Sequence, residues 1–310
     1  MADFHSRLGI LPDYEHILEC CYRSLVSTGD TVVDVGAHTG RHTEILADLV
    51  GSNGRVLAFE PLPQARRVLE ARRLGSQVRV FDCALADFVG KSSFVHARGT
   101  PEESGLRRKV YNRPDLVDPK EIEVEVRKLD DFLSDLAALA FVKIDAEGAE
   151  ILCLRGASAA LERFRPFVSV EYGRPSYSAY GNEPRTLFDV ARSFGYIVGD
   201  LFGAVCADLA EWETVCDFAY WDWFLVPEER LDEWRTRLRS WHPQDGAGLN
   251  VHTSKTSAPR TGMVALTAEI ASLRAENTAM KASASWRITR PLRVVKSALM
   301  RGVIRPQKPV

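Results

Sequence analysis

Thr31-Val32-Val33-Asp34-Val35-Gly36-Ala37-His38-Thr39-Gly40, read together with Arg55-Val56-Leu57-Ala58-Phe59-Glu60-Pro61, decides the fold of this 310-residue chain. An apolar, β-branched strand runs into a glycine-containing turn and a helix start. About one βαβ unit later a second apolar strand ends in an acid. That pattern describes a nucleoside-binding crevice at the carboxyl ends of parallel strands.

Which nucleoside follows from what is missing. A dinucleotide turn needs Gly-x-Gly-x-x-Gly, and counting from Gly36 the second and third positions are His38 and Arg41. A phosphate-cradling loop fails on the same count, with Arg41 where its second glycine belongs. What survives is Asp-x-Gly-x-x-x-Gly over 34–40, with Glu60 standing 20 residues beyond Gly40. An acid beside the turn would repel a pyrophosphate. It suits a ligand with a cationic aminoacyl end and a ribose diol, which describes S-adenosylmethionine.

Working outward, Ile17, Leu18, Cys21, Leu25 and Val26 space as a helix within 11–27 that covers the sheet. Helices are predicted over 43–50 and 63–74, with the turn Gly51-Ser52-Asn53-Gly54 between the first of them and the second strand. A third strand covers 78–81. Alternating patterns at 92–96 and 122–127 predict extra strands flanking a polar loop. A short helix over 130–139, a buried strand over 141–145, a helix over 149–164 and a strand over 167–171 follow. A helix over 185–194 and a terminal strand pair, 196–202 and 217–226, close the pattern. Asp34, Glu60, Asp82, Asp145 and Glu171 all fall at or near strand ends, where an open α/β sheet binds its ligand.

Composition is that of a globular protein, 45% hydrophobic and 26% charged. The net charge of −2 conceals an asymmetry. Residues 284–310 carry seven cations and no acid, leaving −9 for the rest, so a nucleic-acid partner is not expected for the catalytic portion. No stretch approaches the length of a membrane-spanning helix, and the N-terminus lacks a secretory pattern. The six cysteines form no CxxC pair, so buried thiols in a reducing cytoplasm are expected.

The combination of Asp34-Val35-Gly36-Ala37-His38-Thr39-Gly40, Phe59-Glu60-Pro61, Ala84-Leu85-Ala86-Asp87 and Val142-Lys143-Ile144-Asp145-Ala146-Glu147-Gly148-Ala149-Glu150 resembles the FkbM family of S-adenosylmethionine-dependent methyltransferases, over about residues 28–226. The family usually has Asn where this chain has His38. The resemblance implies an α/β fold: a Rossmann-like, doubly wound, mostly parallel sheet with an antiparallel terminal strand, as in class I methyltransferases, plus a C-terminal helical extension. It implies O-methylation of a sugar, lipid or natural product.

On strand-end geometry, Asp34 would hold the loop or reach the methionine ammonium, and Gly36 and Gly40 would admit the cofactor beside His38. Glu60 would take both ribose hydroxyls, and Asp82 with the Cys83 backbone would lie beside the adenine. For catalysis the candidates are Asp145, Lys143 and Glu171. A buried strand lysine is costly unless it is paired or functional, and an alcohol acceptor needs a base, for which Asp145, Glu171 and His38 are the choices. The loop after Glu171 carries Tyr172, Arg174, Tyr177 and Tyr180, which fit either sugar recognition or packing. No metal is expected, since no spacing demands one.

The expected organisation is an N-terminal helical segment (1–27), the methyltransferase domain (28–227), a charged helix (228–242), a linker (243–262), a short coiled-coil helix (263–283) and a basic amphipathic tail (284–310). Ser285 to Arg293 resembles a segment near the ends of bacterial surface-polysaccharide proteins. The expected acceptor is a small molecule or a glycan, with a saccharide of a cell-surface glycan or glycolipid favoured over a natural product. Residues 263–310 are expected to touch the inner membrane face or a glycan-assembly protein, and the coiled coil to support a homo-oligomer. A competing reading is a non-catalytic scaffold acting through the coiled coil and tail.

Overall fold

A computed structural model describes residues 13–111, 114–217 and 220–239. The linker, coiled coil and basic tail expected over 243–310 lie outside the described residues.

Strands β1 (Thr31–Val35), β2 (Arg55–Phe59) and β3 (Val78–Phe81) form where the apolar runs predict them, each followed in space by a parallel neighbour. Helices α1 (Tyr14–Leu25), α2 (Arg41–Val50) and α3 (Pro63–Ala71) precede or connect them. Pro63 opens α3 at a position where its missing N–H costs nothing, and Asp13 caps α1 by accepting from the His16 amide at 3.0 Å.

Next come β4 (Cys83–Leu85), β5 (Gly90–Ala97) and β6 (Pro119–Arg127), then β7 (Phe141–Ile144), α4 (Glu150–Arg155), α5 (Ser158–Phe164) and β8 (Phe167–Glu171). The chain finishes with α6 (Arg174–Tyr177), α7 (Pro184–Ser193), β9 (Tyr196–Gly199), α8 (Leu209–Val215), β10 (Asp222–Pro227) and α9 (Leu231–Arg239).

Seven strands make the main sheet in the order β3-β2-β1-β7-β8-β10-β9, parallel throughout except for β10, which runs antiparallel to both its neighbours. This is the doubly wound, mostly parallel sheet with an antiparallel terminal strand. The order reverses at β1, so the switch point lies between β1 and β7, where such sheets bind ligands. Buried Val, Phe, Leu and Ile on both faces of the central strands explain their continuous apolar runs. A second sheet, β4-β6-β5, stands beside the crevice.

Four expectations change. The helix predicted over 130–139 is a single 3-10 turn, Leu129–Phe132. The helix over 149–164 breaks into α4 and α5 at Gly156, whose absent Cβ would lie 1.9 Å from the Ala86 carbonyl oxygen, so the close approach of β4's exit requires glycine there. Helix α8 falls between the two terminal strands. The charged helix opens as a 3-10 turn at Glu228–Arg230 and is α-helical over Leu231–Arg239, residues 240–242 lying outside the described residues, and it belongs to the domain body: Trp234 is fully buried against Phe224, and Arg237 donates to the Leu25 carbonyl at 2.7 Å. All six cysteines are buried free thiols. No described helix is long and apolar enough to cross a membrane.

Candidate active site

The ends of β1, β2, β4 and β7 open into a cleft of about 200 Å³. Gly36, His38, Glu60, Cys83 and Asp145 line it, as the strand-end argument predicts. Asp34, Gly40, Asp82, Lys143 and Glu171 do not appear among its lining residues.

The turn after β1 is built for close approach. Gly36 has φ +77°, and its amide and that of Ala37 both donate to the Phe59 carbonyl, at 3.1 and 3.0 Å. Gly40, at φ +90°, starts α2 and leaves no room for a Cβ beside Leu69. His38 between them is also left-handed, φ +47°. Asn tolerates that conformation best among non-glycine residues, and His is among the few others that do. His38 therefore answers a left-handed backbone demand that the turn imposes between its two glycines.

Glu60 is 5% exposed, and each oxygen takes one backbone donor: Oε2 from the His38 amide at 2.7 Å and Oε1 from the Leu62 amide at 2.6 Å. Each oxygen keeps a second lone pair, which matches a ribose diol offering two hydroxyl protons. Burial pushes the Glu60 carboxyl up to about 7, against the pull of those two amides. The glycine cradle at Gly36, the two-pronged acceptor at Glu60 and the apolar walls from Phe59, Ala84, Leu85 and Phe94 fit an S-adenosylmethionine nucleoside.

Asp34 acts below the cleft. Its Oδ2 accepts from Thr43 Oγ1 at 2.6 Å, tying the end of β1 to the first turn of α2, and its Oδ1 has no hydrogen-bond partner. Of its two expected roles, holding the loop is the one the geometry shows. Asp82 is corrected: its side chain is 78% exposed and pairs with Arg66 at 3.1 Å, pointing away while Cys83 faces in. Asp82 occupies the bend between β3 and β4, which turns its side chain outward toward Arg66 before Cys83 enters β4 facing the cleft.

Lys143 sits in register beside Asp34 on β1 and Ser169 on β8. It is 3% exposed, with Nζ 3.0 Å from Asp145 Oδ2. Burial alone would lower its proton affinity, but Asp145 and Asp34 raise it well above the ordinary value, so it stays charged. It supports Asp145 from beneath rather than lining the cleft. Asp145, half-buried at the cleft, responds in kind: against its desolvation, Lys143 and a hydrogen bond with Glu171 hold it ionised at low pH. Glu171 moves the opposite way, pushed up by burial and by the Asp145 and Glu147 carboxylates.

The Tyr loop resolves as packing. Tyr172 and Tyr177 are buried and stack at 4.5 Å; their hydroxyls donate to the Glu183 carbonyl (2.7 Å) and to Asp217 (2.8 Å), and Arg174 pairs with Asp217. None of the four, Tyr180 included, lines the cleft.

Sequence reasoning missed several cleft residues. Glu15 arrives from α1, paired with His42 Nε2 at 3.2 Å, and Glu102, Ser104 and Leu106 arrive from the loop between β5 and β6. Glu147, readable as a helix-dipole acid, also lines the cleft. One oxygen each of Asp145, Glu147 and Glu171 lie within 4.8 Å of one another. Two ammonium groups already balance this trio, Lys143 on Asp145 and Lys109 on Glu147.

The family model described as "Methyltransferase FkbM domain" matches residues 34–198, more than half of the chain. Among solved structures, the chain is similar to a methyltransferase FkbM from Methylobacillus flagellatus KT, with 16% identity, 66% of this chain and 48% of that chain covered, and a TM-score of 0.40. The match thus spans about half the length of that protein. The chain is also similar to a SAM-dependent O-methyltransferase from Thermotoga maritima (14% identity, 70% and 66% covered, TM-score 0.36). A third similar structure is Aeropyrum pernix fibrillarin in complex with natively bound S-adenosyl-L-methionine (16% identity, 65% and 68% covered, TM-score 0.35). No curated protein matches the chain.

Proposed function

The chain belongs to the FkbM family of S-adenosylmethionine-dependent methyltransferases, and from that premise we propose that it O-methylates a hydroxyl of a saccharide in a cell-surface glycan or glycolipid. What supports a polyhydroxyl acceptor is the lining itself. Beyond the nucleoside end, the cleft offers hydrogen-bond acceptors in quantity, Glu102, Ser104, Asp145 and Glu147, with His38 among them. Carboxylates accept from hydroxyl groups, and the same density of acids disfavours a phosphate-rich acceptor such as nucleic acid.

When bound, S-adenosylmethionine would supply an electrophilic methyl carbon to the acceptor oxygen, with the C–S electron pair left on sulfur and the hydroxyl proton left for the protein to take. The chain's own work is positional and acid–base. Glu60 holds the ribose, Gly36 and His38 give the backbone its close approach, and Lys143 keeps Asp145 charged beside the cationic donor.

The test is transfer of a labelled methyl group from S-adenosylmethionine to a surface-glycan extract, followed by methanolysis and mass spectrometry. An O-methyl sugar is expected. Label recovered only in non-carbohydrate material would sink the saccharide reading.

A further inference from the structure

The three carboxylates at the ends of β7 and β8 are not equivalent. Asp145 gives one oxygen to Lys143 at 3.0 Å and shares a hydrogen bond with Glu171, and these partners hold it ionised so firmly that it is the weakest proton acceptor of the three. Glu171 does not line the cleft. Glu147 does, and its two protein contacts, from the Lys109 ammonium and from Ser176 Oγ at 3.2 Å, both go to Oε2. Its Oε1 has no hydrogen-bond partner among the described residues.

The backbone around it is over-determined. Glu147 and Gly148 are both left-handed, φ +54° and +105°. A Cβ on Gly148 would meet the Ser176 carbonyl oxygen at 2.4 Å and the Tyr180 ring at 2.6 Å. Tyr180 is in turn covered by Arg107, 4.9 Å from its ring centre. A non-glycine residue held left-handed costs of order 1–3 kcal/mol and persists where the surroundings enforce it, typically at functional sites.

Resting on the methyltransferase reading above, we propose that Glu147 is the catalytic residue that takes the proton from the acceptor hydroxyl, and that Lys109, reaching in from the loop between β5 and β6, is its positioning residue. The O–H bond breaks toward Glu147 Oε1, and its electron pair becomes the acceptor oxygen's nucleophilic pair. Lys109 and Ser176 fix the carboxylate plane by holding Oε2. The groups facing Glu147 are Asp145 just past β7, Glu150 at the start of α4, Glu171 from β8, Ser176 from α6 and Lys109. Burial and the Asp145 charge raise the Glu147 carboxyl to about 7, while Lys109 and Ser176 draw it back, a value suited to taking and releasing a proton near neutrality.

The experiment needs no acceptor. The probe is an adenosine whose 5′ nitrogen carries an iodoethyl arm that closes to an aziridinium, placing an electrophilic carbon where the transferable methyl group belongs. The full chain is treated with it and the adduct mapped by mass spectrometry, with S-adenosylmethionine binding followed by calorimetry. An adduct on Glu147 is expected, with a labelling rate that rises with pH about a midpoint near 7. Glu147→Gln lowers the yield more than about tenfold while binding persists. Lys109→Met raises the midpoint by about one unit, because an adjacent cation is gone. Lys109→Gln serves in its place if that variant does not fold. An adduct on His38 or Asp145 with Glu147 untouched, or no adduct despite cofactor binding, overturns the proton-acceptor role. An unmoved midpoint in the Lys109 variants overturns the positioning role. Absence of cofactor binding by the wild type would instead strike the methyltransferase reading itself.

Discussion

The Cβ that Gly36 lacks would stand 1.8 Å from the carbonyl oxygen of Asp145. The cofactor turn after β1 and the acid-bearing end of β7 are therefore in direct backbone contact across the sheet's switch point. The Asp145 amide seals the same junction by donating to the Val35 carbonyl at 3.1 Å. No side chain larger than hydrogen fits, and φ +77° disfavours one independently.

Gly36→Ala is accordingly expected to cost at least about 2 kcal/mol of stability, from clash and strain together. It should also weaken S-adenosylmethionine binding by displacing the turn. Urea unfolding and calorimetry on the same preparation check both, and an alanine variant with wild-type values would refute the contact's importance.

Glu60 makes cofactor affinity depend on pH. Its carboxyl titrates at about 7, and only the ionised form offers both oxygens to the ribose diol, so affinity should rise as pH passes upward through 7 and level off above it. Glu60→Gln should remove that dependence and lower affinity on the order of 10- to 100-fold, since the amide leaves one backbone donor without its acceptor. Stability runs the other way. The folded state binds this proton more tightly than the unfolded chain, whose value is 4.5, so the contribution is fully present below 4.5 and lost as pH rises through about 7. Thermal unfolding across that window should show a flatter profile in Glu60→Gln.

Lys143→Met is expected to destabilise the protein by about 3 kcal/mol, because it leaves the buried Asp34 and the half-buried Asp145 without their cation. The double variant with Asp145→Asn should recover part of the loss. Equal losses in the single and double variants, measured by urea unfolding, would contradict this pairing.

Chelation is expected to change nothing. With ammonium groups already on Asp145 and Glu147, cofactor affinity and labelling of the cleft should be the same with and without EDTA. An EDTA-sensitive activity restored by Mg²⁺ would reverse the expectation.

Asp82→Ala should move stability by less than about 0.5 kcal/mol and leave cofactor affinity intact, since an exposed pair with Arg66 contributes little. A large drop in affinity would return Asp82 to the adenine side.

Much of the site was legible because β1, β2 and β7 are short, buried strands whose apolar runs end abruptly in acids or glycines. Those ends are pinned to the crevice by the sheet, so Gly36, Glu60 and Asp145 could be placed from the chain alone. Asp82 and Cys83 show the limit: strand-end position is readable, but which of two adjacent side chains faces inward depends on a register that β4 takes from β6, 42 residues away in the chain. The helix predicted over 149–164 failed similarly, because the break at Gly156 answers a contact with Ala86 that no local pattern reveals.

The sequence by itself determined the fold and pointed to the nucleoside, since hydrophobic period and turn chemistry are local properties. Only the tertiary structure decided how the charges divide their work. Lys143 is a support beneath Asp145, the tyrosines after β8 are packing, and Glu147 lines the cleft with both its protein contacts on one oxygen. Those distinctions depend on which partners approach from distant segments, Lys109 from one loop and Ser176 from another, and on how deeply each group is buried. Neither quantity is encoded in any one stretch of chain.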